Sequence, residues 1–370
     1  QEGMLDEKGF LTKPTAVSGL ALYRGDQFPE EIQGNLFIPE PAGNLVKRAL
    51  VAEGKDGFHT IKSALKADEF LTSTDERSRM VDAFTAPDGS LYLIDFYRGI
   101  IQHQVYMTSF LRAQVEERGL DKPVGLGRIW RVRHSEGKAL TKAPRMQGES
   151  PVALVAHLES ANGWWRDTAQ RLIVEHGDEV AIPALRKVAA ESESHLARIH
   201  AVWTLEGLGK LDENVLAIAL GDSHPRVVAE AIRASESLAI SEKSDAVFSL
   251  LEQKAGSENL YVSRQLAASL GLFGERAIPV LAKLVEKSEK DLLTGDLAVS
   301  GISGREFALF EALPSSHNLR SPLIRTIVRR NDRTQLAGLI AALETPQEYK
   351  EFAKSVVAMR RTNESRILLS

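Results

Sequence analysis

A repeat fifty-five positions apart constrains this chain more than any other feature. Gly34-Asn35-Leu36-Phe37-Ile38-Pro39-Glu40-Pro41-Ala42-Gly43-Asn44-Leu45-Val46 lines up with Gly89-Ser90-Leu91-Tyr92-Leu93-Ile94-Asp95-Phe96-Tyr97-Arg98-Gly99-Ile100-Ile101. Leu36/Leu91, Phe37/Tyr92 and Ile38/Leu93 match in register, as do the acidic Glu40/Asp95 and the aliphatic Leu45-Val46/Ile100-Ile101. Short β-branched and aromatic runs broken by Gly, Pro and Asn read as hairpins, so each copy predicts a strand, a tight turn and a second strand. Before the second copy, Ala86-Pro87-Asp88-Gly89 supplies a turn in which Pro presets φ and Gly accepts a positive one. An antiparallel repeat with a period near 50 residues is what β-propeller blades of four strands show. Residues 108–122 are polar and charged, with Phe110 to Val115 able to form a helical turn or two, and are expected as an excursion between strands.

Two or three blades do not close a ring of about four to eight. The sequence therefore expects the remaining blades upstream in a longer parent chain; a two-unit β domain of another kind is the alternative. The ends carry the same expectation. Gln1-Glu2-Gly3-Met4 has neither an initiator methionine nor a signal pattern, and Ser365-Arg366-Ile367-Leu368-Leu369-Ser370 breaks off inside an apolar pattern.

Past Gly127-Arg128-Ile129-Trp130-Arg131-Val132-Arg133, read as a closing strand, residues 134–149 are rich in Gly, Lys, Pro and Ser and form a linker. From residue 150 the period changes to that of helices. Arg-x-x-Ala recurs at Arg166, Arg198, Arg226 and Arg264, with intervals of 32, 28 and 38. Gly177 to Leu185 and Gly274 to Leu281 share one tail, in which Gly ends a helix and Pro183 or Pro279 opens the next. Such paired helices stack into an α-solenoid of the HEAT type, and the recurring arginines are expected to pair with the preceding acidic turn. Trp164-Trp165 is expected to pack at the first repeat or the domain junction. The fold class is thus multidomain β plus α: a partial β-propeller over residues 1–133, a linker over 134–149 and a HEAT-repeat solenoid over 150–370.

Composition narrows the function. Lys plus Arg number 46 against 50 Asp plus Glu, a formal charge of −4, so no basic field is present to hold nucleic acid. The absence of cysteine excludes a disulfide framework, a thiolate zinc site, an iron–sulfur cluster and a c-type haem within these residues. No apolar run approaches the ~20 residues of a spanning helix, so no transmembrane segment is expected. Nor is there a Gly-rich phosphate loop, a nucleophile elbow or an HExxH motif. The nine histidines show no metal-ligand spacing; His195 and His200 are five apart on a helix and do not share a face.

The run of motifs Gly25-Asp26-Gln27-Phe28-Pro29, Gly34 to Arg48, Phe70-Leu71-Thr72-Ser73-Thr74-Asp75, Val81-Asp82, Ala86 to Tyr97 and Gly127 to Arg131 resembles the closing blades of a propeller family of Planctomycetes and Verrucomicrobia. These are described as membrane-bound-dehydrogenase-like or haem-binding-domain proteins, similar to the glucose/sorbosone dehydrogenases. Ser78 and Met80 depart from the pattern where an aromatic residue and a proline are expected. The resemblance implies a periplasmic or cell-surface setting, a sugar or polyol substrate, pyrroloquinoline quinone as cofactor in the parent protein, and electron transfer to a cytochrome c domain or protein. The solenoid would then be a spacer or a docking surface for a protein partner.

A quinone of that kind carries three carboxylates and needs cations around it. Arg24, Lys47, Arg48 and Arg98 lie next to the blade turns and are the candidates, with solvated turn cations as the alternative. The catalytic base would lie upstream. Asp95 and Glu40 share the repeat position after the inner strand, where a carboxylate ties the N–H groups of a turn. His103 is the propeller-side histidine to test. Two functions remain open: a segment of a quinoprotein-type sugar or polyol dehydrogenase-like protein, inactive alone, or a non-catalytic scaffold binding glycan or protein partners.

Overall fold

The computed structural model describes residues 16–66, 68–137 and 144–360. Both termini on which the expectation of a longer parent rests, Gln1 to Met4 and Ser365 to Ser370, lie outside the described residues. Antiparallel sheets come first and helices follow, in two compact units that divide between Leu172 and Ile173.

The first unit holds eight strands among its described residues: β1 (Ala21–Leu22), β2 (Leu36–Glu40), β3 (Leu45–Glu53), β4 (His59–Ser63), β5 (Leu71–Thr72), β6 (Met80–Thr85), β7 (Leu91–Asp95) and β8 (Arg128–Val132). One sheet runs β1-β2-β3-β4, with β5 also on β3; the other runs β6-β7-β8. Alternation decides which side chains meet. Phe37 and Val46 from the first sheet and Met80, Ala83, Leu91 and Leu93 from the second close a common core around Tyr23. The Tyr23 hydroxyl is buried but not orphaned, since the N–H groups of Gln27 and Phe28 donate to it at 3.0 and 3.1 Å and it donates to the Gly89 carbonyl.

The two repeat copies part company after their acidic residue. In the first, Glu40 accepts from the Gly43 N–H, Asn44 takes a left-handed φ of 54°, and the chain returns at once as β3 with Glu40 opposite Leu45. In the second, the expected return strand at Ile100-Ile101 does not form. The chain leaves through residues 96–127, which carry α1 (Ser109–Glu117), capped by the Thr108 hydroxyl. It comes back as β8, with Arg128 opposite Asp95. A side chain at Gly99 would have its Cβ 2.6 Å from Leu120 Cβ, so only glycine lets this excursion fold so close to itself.

Two helical pieces complete this unit: α2 (Pro151–Ala156) and the opening turns of α3 (Gly163–His176). Trp165 donates from Nε1 to the Pro87 carbonyl at 2.7 Å, and Asn162 donates from Nδ2 to the carbonyls of Ala86 and Pro87. Both hold the turn between β6 and β7.

The second unit continues α3 and adds α4 (Ile182–Glu191), α5 (His195–Gly207), α6 (Glu213–Leu220), α7 (Pro225–Ala234), α8 (Ser244–Glu252), α9 (Leu260–Ser269), α10 (Ile278–Lys287), α11 (Leu292–Gly301), α12 (Glu306–Ala312), α13 (Arg320–Arg330), α14 (Arg333–Ala342) and α15 (Pro346–Arg360). They pack in two layers. One joins α5 to α7, α7 to α9, α9 to α11 and α13 to α15; the other joins α4 to α6, α6 to α8, α10 to α12 and α12 to α14. Pro183 and Pro279 sit at the second positions of α4 and α10, where a missing N–H costs little.

The recurring arginines pair forward rather than back, contrary to the sequence expectation. Arg198 makes two bonds to Asp222 at 2.6 and 3.0 Å, and Arg264 two to Asp291 at 2.9 and 2.8 Å. Both acids stand in the turn before the next helix of the same layer. The backward contact is to backbone: Arg198 Nη1 also donates to the Ser192 and Glu193 carbonyls, as Arg166 does in the first unit to those of Ser160 and Ala161. Arg226 instead lies over the Tyr261 ring, 4.9 Å from its centre, and donates to the Tyr261 hydroxyl. Arg320 with Glu348 continues the series past the point where the sequence pattern fades.

Candidate functional site

The residue with most chemistry around it is Asp95, which is fully buried at the end of β7. Its Oδ1 accepts from the backbone N–H of Arg79 at 2.7 Å and of Tyr97 at 3.0 Å. Its Oδ2 accepts from Arg128 Nε at 3.0 Å, Trp130 Nε1 at 3.1 Å and the Ser78 hydroxyl at 3.3 Å. Burial alone would raise this carboxyl, yet the donors from Arg79, Trp130, Arg128 and Tyr97 outweigh it and hold it below the usual range. Because Arg128 and Trp130 are two apart on β8, they share the face of the sheet that carries Asp95.

These donors build a surface. Arg128 lies 4.0 Å from the centre of the Tyr97 ring and 4.7 Å from that of Trp130, a guanidinium between two aromatic faces. Tyr97 holds a φ of 48°, unusual for a bulky residue, and its N–H bond to Asp95 pins it there. Asp75 flanks Arg128 at 3.7 Å, and Trp130 remains 42% exposed.

Arg79 joins the corresponding ends of the two sheets. It donates from Nε to the Arg98 carbonyl at 3.0 Å, from Nη2 to the Gly99 carbonyl at 2.7 Å, and from Nη1 to the Pro41 carbonyl at 2.7 Å and Asn44 Oδ1 at 2.9 Å. Half-buried, its guanidinium is held below its ordinary pKa by desolvation. Beside it opens a cleft of about 540 Å³ whose walls include Val17, Val81, Ile100, Ile101 and Leu111. Ile100 and Ile101, expected in a strand, are therefore lining residues.

The seven residues that the sequence singles out do not converge. Arg24 forms a two-bond pair with Asp167, at 2.8 and 3.0 Å. Lys47 pairs with Glu69. Arg48 follows Lys47 on β3 and so leaves the sheet on the opposite face, where its Nε is buried without a hydrogen-bond partner. Arg98 lies over the Phe96 ring at 5.8 Å. His103 is exposed, and its Nδ1 accepts the Val105 N–H at 3.3 Å. Asp95 is the hub described above, and Glu40 accepts from the N–H groups of Ala16 and Gly43. Arg79, Arg128 and Trp130 carry the site without having been marked as site residues. The Gly127 to Arg131 motif was the signal that pointed to the last two. Among the described residues, no group of three or more His, Asp or Glu side chains is arranged to hold a metal, and no helix is long and apolar enough to cross a membrane.

Residues 4–136 match a family described only as a domain of unknown function, DUF7133, a span that takes in both sheets. No curated protein matches. Thirteen solved chains match, among them the crystal structure of an engineered protein from the Northeast Structural Genomics Consortium. It shares 15% sequence identity at a TM-score of 0.32, over 57% of this chain and 97% of that chain.

Proposed function

We propose that this chain is a non-catalytic binding scaffold, in which the two sheets are β-propeller blades and the layered helices from α4 onward are HEAT-type repeats that dock a protein partner. The observation that carries this reading is the fate of the charged groups marked for chemistry. Arg24 and Lys47 are each neutralised by a carboxylate of the same chain, and Asp95 is saturated by five donors. None of these three is left to move a proton or to grip a substrate.

Pyrroloquinoline quinone would need several cations facing one space. Lys47 and Arg48 leave β3 on opposite faces, Arg24 is held by Asp167 and Arg98 by the Phe96 ring, so these four do not form a cradle for three carboxylates. No step is derived through that cofactor. The test is to titrate the full chain with the quinone while following its absorbance, then to assay aldoses and polyols with a dye acceptor. The scaffold reading expects no saturable quinone binding and no dye reduction. Stoichiometric binding that Lys47→Ala or Arg98→Ala abolishes would overturn it in favour of a sugar or polyol dehydrogenase-like protein.

A further inference from the structure

Helix α15 buries one side and leaves the other bare. Glu348, Ser355 and Met359 are buried, whereas Lys350, Ala353, Lys354, Val357 and Ala358 are exposed, Val357 at 51%. Their spacing of i, i+3, i+4, i+7, i+8 is that of a single helix face, the pattern by which one helix normally packs on another. Beside this stripe runs a groove of about 520 Å³, to which α13 contributes Arg325 and Arg329.

The charge of this face is one-sided. Glu351 also lines the groove but is committed to Arg325 at 2.8 Å. Arg329, Lys350 and Lys354 have no carboxylate at ion-pair distance among the described residues. At three other points of this layer a carboxylate from the next helix or the turn before it pairs with the cation: Asp222 with Arg198, Asp291 with Arg264, Glu348 with Arg320; Arg226 meets Tyr261. Lys350 is the fifth residue of α15, as Arg264 is of α9, and among the described residues no carboxylate pairs with it.

We propose that the α13–α15 face docks an acidic amphipathic helix of a partner protein, its carboxylates meeting Arg329, Lys350 and Lys354 and its apolar side covering Ala353, Val357 and Ala358. This rests on the scaffold reading and names the partner's chemistry. The cations supply register and steering, while the apolar stripe supplies the area removed from water.

The probe is a fluorescently labelled synthetic peptide of about 20 residues, long enough to be helical, with a Leu/Ala stripe flanked by Glu. Its anisotropy is followed as the full chain is added, beside a peptide with Lys in place of every Glu. The expected result is saturable binding of the acidic peptide alone. Binding should weaken with added salt and fall at least about tenfold in the double variant Lys350→Glu/Lys354→Glu. Because both lysines are exposed, an unchanged melting curve verifies that this variant folds. Equal binding of both peptides, no binding, or an undiminished double variant overturns the proposal. Two further results overturn it by naming another occupant. One is binding that appears only in the full chain carrying Leu368→Asp and Leu369→Asp, which assigns the face to the chain's own end. The other is a dimer in sedimentation that the double variant dissolves, which assigns it to a second copy. Quinone-dependent turnover strikes at the scaffold reading alone, and an unbound peptide with no turnover strikes at the docking face alone.

Discussion

Arg79 and Asp95 meet through backbone and not through an ion pair: the Arg79 N–H donates to Asp95 Oδ1 at 2.7 Å, while the Arg79 guanidinium turns away to the carbonyls of Pro41, Arg98 and Gly99. The carboxylate is thereby free to take Arg128 and Trp130 from β8, and one buried residue fixes both the end of β7 and the strand beside it. Removing such a partner leaves the N–H groups of Arg79 and Tyr97 and the Ser78 hydroxyl without this acceptor and frees the partly exposed Arg128 and Trp130 from the end of β7. Asp95→Ala should cost about 3–5 kcal/mol, and Asp95→Asn less because one acceptor stays. Urea unfolding followed by far-ultraviolet circular dichroism measures this; a loss under about 1 kcal/mol would remove Asp95 from its role as hub.

The same carboxylate gives the first unit an acid dependence. Asp95 titrates lower when folded than when unfolded, so its contribution is complete above the unfolded value of about 3.9 and is lost as pH falls through the folded one. Stability should decline below about pH 4, and Asp95→Asn, with no proton to gain, should flatten part of that decline. Parallel curves for the two proteins from pH 5 to pH 2.5 would contradict the assignment.

What the sequence made legible, and what it hid, follows from the range of the forces involved. β2 and β7 announce themselves by local alternation, and the forward half of each repeat copy is built as read. The return half is not. Leu45-Val46 and Ile100-Ile101 look alike, yet only the first pair enters a strand, because the choice is made by Asp95 reaching Arg128 and Trp130 more than thirty residues away. Arg79 escaped for a related reason: three of its four acceptors are backbone carbonyls, which leave no mark in a sequence. The cations chosen beside the turns were visible as charges, but Asp167 and Glu69, which neutralise Arg24 and Lys47, lie 143 and 22 positions further along the chain.

Within the helices, burial should separate two classes of ion pair. Arg264 and Asp291 have side chains only 12% and 16% exposed and share two bonds, whereas Arg186 of the Arg186–Asp212 pair is 46% exposed. Asp212 is as covered as Asp291, at 16%, so the difference lies in the arginines: Arg264→Ala removes a largely covered guanidinium with two bonds and should cost about 2–3 kcal/mol, against about 1 kcal/mol for the half-exposed Arg186 in Arg186→Ala. Denaturant midpoints of the two variants, at matched slopes, decide it. Equal losses would mean that the arginine series does not hold the layers together.

Close approach between α9 and α11 depends on a missing side chain. A Cβ on Gly301 would lie 2.5 Å from the Ala268 carbonyl oxygen and 3.0 Å from that of Ala267. Backbone cannot step aside as a flexible side chain can, so Gly301→Ala should destabilise by about 1–3 kcal/mol, although alanine is the better helix former. A variant as stable as the parent in urea would show that the two helices can slide apart at no cost.

The last prediction concerns His195 and His224, whose rings stack at 4.0 Å and 5° between α5 and the turn before α7. Burial lowers the His195 pKa, and His224, Arg198 and Arg226 lower it further; Asp222, the carboxylate acting in the other direction, is already bonded to Arg198. His195 therefore binds its proton less readily when folded than when unfolded. Its contribution to stability is complete above the unfolded value of about 6.5 and is eroded as pH falls below it, the reverse of a histidine that gains an acidic partner. Imidazole carbon-bound proton resonances recorded between pH 4.5 and 8 should give His195 a midpoint below 6.5. In His224→Ala that midpoint should rise, since a neighbour that opposes the charge and part of the burial are both gone. A midpoint at or above 6.5 in the parent chain, or one that does not move in the variant, would mean that the stacked pair does not govern how this seam responds to acid.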